Sequence, residues 1–215
     1  MGTWDPVIRQ FSDPVVRALA QCGSLRSHAR GSVLMREGED GTALFVILAG
    51  RVRVYVADAR GQEMVLAHYG AGELVGEMAL DGEPRSATVR AVEAVHCAVV
   101  ERAALLELFA AQPEVALRLF SIVAARARAA TGSVRNLALM DVYGRVARLL
   151  LEQETVVEAD GRRWTREALT QQEIASRVGA SRDMISRILK DLRTGGYIAE
   201  RARRFTILRR PPARW

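Results

Sequence analysis

An α+β fold in three successive parts is what this 215-residue sequence predicts, and three observations carry it. Between residues 27 and 102, short apolar runs alternate with glycine-bearing turns. From 101 to 139, the apolar spacing changes to a helical period. Residues 169–192 then hold two short helical patterns about a glycine. An apolar share of 49% is ample for the cores of such parts. No apolar run approaches the ~20 residues of a membrane span. Met1-Gly2-Thr3-Trp4-Asp5-Pro6 lacks the basic-then-apolar order of a secretion signal, so the expectation is a cytoplasmic protein with no membrane contact.

Thr3 to Leu25 reads as a short helical lead, with Asp13-Pro14 as a start signal and Val15, Val16, Leu19 and Ala20 as an apolar face. Ten of the 17 glycines then fall between Gly23 and Gly82. They punctuate strand-like runs at Ser32–Met35, Leu44–Leu48, Val52–Val56, Met64–His68 and Val95–Val100. In Arg51–Val56 the valines alternate and should point inward. Gly38-Glu39-Asp40-Gly41 and Asp58-Ala59-Arg60-Gly61 supply turns. Short, evenly spaced strands with tight turns predict an antiparallel barrel or jelly roll.

Within it, Gly72 to Val89 gathers three glycines, an isolated glutamate and Arg85 followed by small residues. Glycines allow close backbone approach. Amides opening a short helix favour an anion, and an arginine fork grips phosphate oxygens. These residues suit a small phosphate ester; the alternative is a glycine-rich turn with a surface salt bridge.

Helical pattern resumes at Glu101 and breaks near Pro113. Leu117, Phe120, Ala124, Ala127, Thr131, Val134 and Ala138 follow a 3-4-3-4 spacing, the seam of a parallel helix pair. That predicts a homodimer; the alternative is a helix packed on its own domain. Asp141 caps a further helix, Val142–Gln153, and residues 154–168 read as a hairpin or loop. Thr170 with Glu173 forms a capping box, Gly179 suits a tight turn, and Ser181 caps a second helix. Ala175 and Val178 of the first helix and Ile185, Ile188 and Leu192 of the second supply the packed faces. Together these make a helix-turn-helix, followed by a β-hairpin wing around Arg201–Arg204.

Charge supports this division. Up to Met140, 15 arginines balance 15 acidic residues; from Asp141 on, 16 basic residues face 10 acidic ones, which accounts for the whole net charge of +6. A basic C-terminal part suggests a polyanion partner. Arg182, Asp183, Ser186 and Arg187 share one face near the start of the second helix, with Lys190 a turn later. That is where a recognition helix meets base edges. Arginine reads guanine, and a carboxylate accepts from cytosine. Thr170, Gln171 and Arg201–Arg204, Arg203 among them, are placed to hold phosphates. Cys22 and Cys97 form no metal spacing or disulfide framework. His28, His68 and His96 form no haem or metal set, and no acid–base centre suggests an enzyme.

These motifs resemble the cyclic-AMP receptor protein/fumarate-nitrate regulator superfamily of bacterial transcription factors over nearly the whole chain. The carrying residues are Gly76-Glu77-Met78-Ala79-Leu80, Pro84-Arg85-Ser86-Ala87-Thr88-Val89, Gln172-Glu173-Ile174-Ala175 and Val178-Gly179-Ala180-Ser181-Arg182-Asp183 with Ser186 to Lys190. Asn136-Leu137-Ala138 and Asp141 to Ala147 resemble the hinge before the DNA domain. The resemblance implies a cyclic-nucleotide-binding β-roll at 1–110, a dimerisation helix at 111–139 and a winged helix-turn-helix at 140–215. It implies that Glu77 holds the ribose 2′-hydroxyl and Arg85 the cyclic phosphate. Gly76, Met78, Ala79, Ser86 and Ala87 complete the cassette, and Thr131 reaches the purine. It implies that Ser181, Arg182, Asp183, Ser186, Arg187 and Lys190 meet a near-palindromic duplex, with RNA polymerase as a further partner.

Departures are a short span from Glu77 to Arg85, Ala130 where the family often has a second polar contact, Asp183 for the usual glutamate, and no iron–sulfur cysteine cluster. The expected effector is cyclic AMP, with cyclic GMP and cyclic di-GMP as alternatives and no cofactor or metal. Rival readings are a regulator of this architecture that needs no ligand, or a cyclic-nucleotide-binding subunit docking on a protein.

Overall fold

Leu44-Phe45-Val46-Ile47-Leu48-Ala49 is apolar at every position, and a strand with such a run must be covered on both faces to bury it. The computed structural model, which describes residues 4–159 and 161–211, shows that arrangement. Leu44, Val46 and Leu48 face a helical layer, while Phe45 and Ile47 face a second sheet.

The chain divides into two compact units, Met1–Arg128 and Ala129–Trp215. The first runs α1 (Asp5–Gln10), α2 (Pro14–Gln21), β1 (Ser24–His28), β2 (Val33–Met35), β3 (Leu44–Ala49), β4 (Val52–Ala57), β5 (Glu63–Tyr69) and β6 (Leu74–Val75). A 3₁₀ turn (Glu77–Asp81), β7 (Thr88–Ala91), β8 (Val95–Val100), α3 (Arg102–Ala111) and the start of α4 (Pro113–Leu139) follow. Two four-stranded sheets, ordered β1-β8-β3-β6 and β2-β7-β4-β5, form the expected β-roll, with every pairing antiparallel. Phe45, Ile47, Val75, Cys97 and Val99 meet Met35, Val52 and Val89 between the sheets. The outer face of β3 and β8 packs against Ile8, Val16, Leu19, Leu105, Val115 and Leu119 of the helices.

The five expected strands are present, and three more join them. The helical lead ends at Gln21, so Leu25 belongs to β1, paired with β8 from Ser24↔Val99 to His28↔Val95. Thr3 lies outside the described residues. Strand β6 falls inside the glycine-rich stretch from Gly72 to Val89, and β7 begins at its end. In β4 Val52 is buried and Val54 packs on the inner core, as the alternation requires. Tyr55, on the other face, is nonetheless 4% exposed, because Arg53 and Arg90 lie over its ring and both pair with Glu63.

The second unit holds the end of α4, α5 (Val142–Glu152), β9 (Thr155–Val157), β10 (Arg163–Thr165), α6 (Gln171–Val178), α7 (Arg182–Thr194), β11 (Ile198–Arg201) and β12 (Arg204–Ile207). Its core joins Val146, Leu150, Ile174, Val178, Ile185, Leu189, Leu192, Ile198 and Phe205, with Ile188 only partly buried at its edge. Asp141 caps α5 by accepting from the Gly144 N–H at 2.7 Å. The Thr170–Glu173 capping box is complete, and Gly179 ends α6 in the left-handed conformation. The α4–α5 turn is fastened by Arg145 donating to the Met140 carbonyl at 2.8 Å and by Arg148 donating to Asn136 at 2.8 Å. No single helix among the described residues is long and apolar enough to cross a membrane.

Gly50 turns β3 into β4 at φ +83, and a Cβ there would lie 2.1 Å from the Ala94 carbonyl oxygen. Gly50→Ala combines a left-handed backbone penalty with displacement of a backbone carbonyl. The expected loss is roughly 2–4 kcal/mol in urea unfolding; a loss under about 1 kcal/mol would mean that the Ala94 loop yields freely.

Candidate ligand pocket and nucleic-acid interface

The glycine-rich stretch is built around two buried charges. Arg85 is anchored by its backbone: its N–H donates to the Glu39 carbonyl at 2.9 Å, and its carbonyl accepts from Gly38 at 2.8 Å. Its guanidinium turns inward and donates to the carbonyls of Gly76 at 2.8 Å and Ala43 at 2.9 Å. Gly76 has φ +89, and a Cβ there would lie 2.7 Å from Arg85 Nη1 and 3.0 Å from the Ala43 oxygen. Any side chain would therefore displace the guanidinium. Burial pushes the Arg85 pKa down, against the opposing pull of the Glu77 and Glu101 carboxylates.

Glu77 opens the 3₁₀ turn, and its side chain is 5% exposed. A carboxylate so buried requires a cation, and Arg126 of α4 supplies it with Nη1 2.6 Å from Oε2. Arg126 also donates to the Leu74 carbonyl at 2.6 Å and lies 4.2 Å over the ring of Tyr69. Burial pushes the Tyr69 phenol pKa up. Sequence reading missed Arg126, yet a signal exists. Val115, Leu119, Ile122 and Arg126 repeat at 4-3-4 spacing, a stripe distinct from the seam, and its first three members pack on the roll.

The other residues of the stretch differ in setting. Met78 is exposed, Ser86 points its hydroxyl at the Met78 sulfur at 3.4 Å, and Ala87 is buried. Ala79 lies in the 3₁₀ turn, but its side chain is outside what the structure describes. Thr131 stands exposed on α4 in the second unit, so it is not grouped with Glu77 and Arg85 in one compact unit. Along the seam, Leu117, Phe120 and Val134 are 69%, 71% and 66% exposed.

In the second unit, most arginines are engaged within the fold. Arg145 bonds the Val178 carbonyl, and Arg148, Arg166, Arg177 and Arg193 pair with Glu152, Glu154, Glu167 and Glu200. Arg201 and Arg204 both pair with Glu158. Arg182, Arg187, Lys190 and Arg203 are exposed and have no ion pair among the described residues. Arg182 and Arg203 border a groove with Thr170, Gln171, Gln172 and Glu200. Asp183 is exposed beside them and Ser186 is half-buried. Two expected contacts are engaged in helix caps. The Thr170 N–H and hydroxyl both donate to Glu173, at 2.6 and 2.8 Å, and Ser181 accepts from the Met184 N–H at 3.3 Å. A phosphate contact through the Thr170 hydroxyl therefore requires the cap to release it.

Known proteins match both halves of this arrangement. Residues 25–112 match the cyclic nucleotide-binding domain family, and residues 144–211 match the Crp-like helix-turn-helix domain. The cAMP-activated global transcriptional regulator CRP of Salmonella typhimurium is 32% identical over 194 residues, 87% of this chain and 91% of that protein. A CRP-like cAMP-activated global transcriptional regulator of Mycobacterium tuberculosis is 33% identical over 172 residues, covering 79% of this chain and 77% of that one. The structure of the c-di-GMP-responsive global regulator CLP of Xanthomonas campestris superposes with a TM-score of 0.78 at 24% identity, over 91% of this chain and 98% of the other.

A cyclic-nucleotide-type sensor joined to a DNA-binding helix-turn-helix defines a class of transcription regulators. Within that class, the chain belongs to the CRP/FNR family.

Removing Arg126 leaves the Glu77 carboxylate buried without a cation. Arg126→Ala is expected to cost about 3 kcal/mol, and adding Glu77→Gln to recover most of it. A chemical-denaturation cycle checks this, and simply additive losses would show the two groups to be uncoupled.

Proposed function

We propose that this protein is a homodimeric, sequence-specific DNA-binding regulator controlled by a cyclic nucleotide, cyclic AMP first, held in the β-roll. The observation that carries the reading is the sorting of charge in the second unit. Its scaffold arginines are engaged internally, while Arg182, Arg187, Lys190 and Arg203 are left exposed with Asp183. Unengaged cations on a recognition helix and wing suit base edges and phosphates. Gln171, at the first position of α6, offers a backbone N–H to phosphate. The relatives named for cyclic AMP support the choice of effector.

The division is a sensor at 1–110, a dimerisation helix at 111–139 and a DNA-binding domain at 140–215, in a non-enzymatic cytoplasmic protein for which RNA polymerase is a further partner. The exposed apolar seam Leu117, Phe120, Val134 supports pairing of two copies along α4. In the pocket, Arg85 grips the cyclic phosphate and Glu77 the ribose 2′-hydroxyl, with Gly76, Met78, Ala79, Ser86 and Ala87 around them and Thr131 toward the base. Glu77 is already paired with Arg126, so a ribose hydroxyl must share or release that bond. This gives the ligand different contacts in two states of α4, which is what a population shift requires. The recognition helices of the pair then address half-sites one helical turn, ~34 Å, apart.

Isothermal titration with cyclic AMP, cyclic GMP and cyclic di-GMP tests the effector. The expected result is saturable heat with cyclic AMP at one site per chain, lost in Arg85→Ala. Heat only with cyclic di-GMP reassigns the effector, and none with any of the three favours the ligand-independent regulator.

Arg187→Ala is expected to cost ~1–3 kcal/mol of operator binding and to relax one base position. Operators selected from random duplexes by the parent and the variant check this; an equal loss on every sequence would make Arg187 a phosphate contact.

A further inference from the structure

Arg201-Ala202-Arg203-Arg204 places three arginines at the tip of the β11–β12 wing, and they are not equivalent. Glu158, just after β9, takes two of them, Arg201 on Oε2 and Arg204 on Oε1. Arg204 also donates Nε to the Thr165 carbonyl at 2.6 Å, and Arg201 lies 4.5 Å over the ring of Trp164, which is 4% exposed. Two main-chain bonds add to this: the Phe205 N–H donates to the Thr165 hydroxyl at 3.1 Å, and the Leu169 N–H to the Arg203 carbonyl at 2.8 Å. The turn so held is unfavourable in itself. Ala202 and Arg203 stand at φ 51 and 65, and neither is glycine. L-residues persist there only when their surroundings hold them. Arg203 is left exposed at the groove with Arg182 and Gln171 and has no ion pair among the described residues.

We propose that Glu158 is a positioning residue of the DNA interface: it withdraws Arg201 and Arg204 from phosphate binding and holds the turn that makes Arg203 the single phosphate-binding cation of the wing. The proposal rests on the DNA-binding reading above and adds a division of labour among three adjacent arginines. A purely structural brace would change stability alone; a division of labour also changes how many phosphates are neutralised.

That number is read from the salt dependence of binding by the full-length protein to a mixed-sequence duplex, followed by fluorescence anisotropy. The slope of log K against log salt changes by about 0.9 per phosphate contact. Arg203→Ala is expected to flatten the slope by about 0.9, and Arg201→Gln to leave it unchanged. Glu158→Gln is expected to steepen it, by up to about 1.8 as two guanidiniums are released. Glu83→Gln, the same charge change in the first unit, is expected to leave it where it was. Arg203→Gly is expected to flatten the slope as the alanine does without lowering the melting midpoint, since glycine is at ease at that φ.

The proposal is overturned if Arg201→Gln flattens the slope as much as Arg203→Ala does, or if a folded Glu158→Gln protein keeps the parent slope. If Glu158→Gln does not fold, the Arg201→Gln and Arg203→Gly pair decides. A parent protein with no salt-dependent binding overturns the DNA reading itself. Normal parent binding with the wrong variant slopes overturns only the role of Glu158.

Discussion

The first unit depends on one electrostatic constraint: the Glu77 carboxylate is buried, so a cation must come to it. The nearby arginine of the same stretch, Arg85, is occupied with the Gly76 and Ala43 carbonyls. The cation therefore comes from α4, as Arg126. An isolated buried carboxylate would be costly enough to neutralise itself by taking up a proton. The pair thus joins the glycine-rich stretch to the helix that carries the apolar seam. Arg126 reinforces the join through the Leu74 carbonyl and the face of Tyr69.

What could be read from the sequence follows from what is local. The capping box of Thr170 and Glu173, the left-handed Gly179 and the Ser181 cap are set by neighbours within four residues, and all were legible. So was β3, whose unbroken apolar run demands cover on both faces. Strand β1 was not, because Ser24-Leu25-Arg26-Ser27-His28 is largely exposed and carries no alternation; pairing with β8 alone makes it a strand. Strand β6 is too short to show a period. In the pocket, Glu77 and Arg85 stood out by residue type and spacing, but the partner of Glu77 did not, since Arg126 lies 49 positions on and its 4-3-4 stripe reads equally well as ordinary helix packing. At the wing, the basic cluster was legible as charge, but its division was not. Glu158 is 43 positions from Arg201 and 46 from Arg204.

That last gap has a general cause in this chain. All but one of its 31 basic residues are arginine, and an arginine stays charged at any physiological pH. Residue identity therefore cannot separate scaffold from function here, and titration does not silence the surplus. Only pairing does. Guanidinium–carboxylate and guanidinium–carbonyl contacts take up Arg145, Arg148, Arg177, Arg193, Arg201 and Arg204. Each such contact both ties the arginine into the fold and removes a cation from competition for an external anion. Among the exposed cations with no ion pair among the described residues, Arg182, Arg187 and Lys190 lie along α7 and Arg203 on the wing turn, and no acid other than Asp183 accompanies them on the exposed face of the helix up to Lys190. The acidic residues of the second unit are then as informative as the basic ones. Their placement decides which arginines hold the fold and which are available to a polyanion.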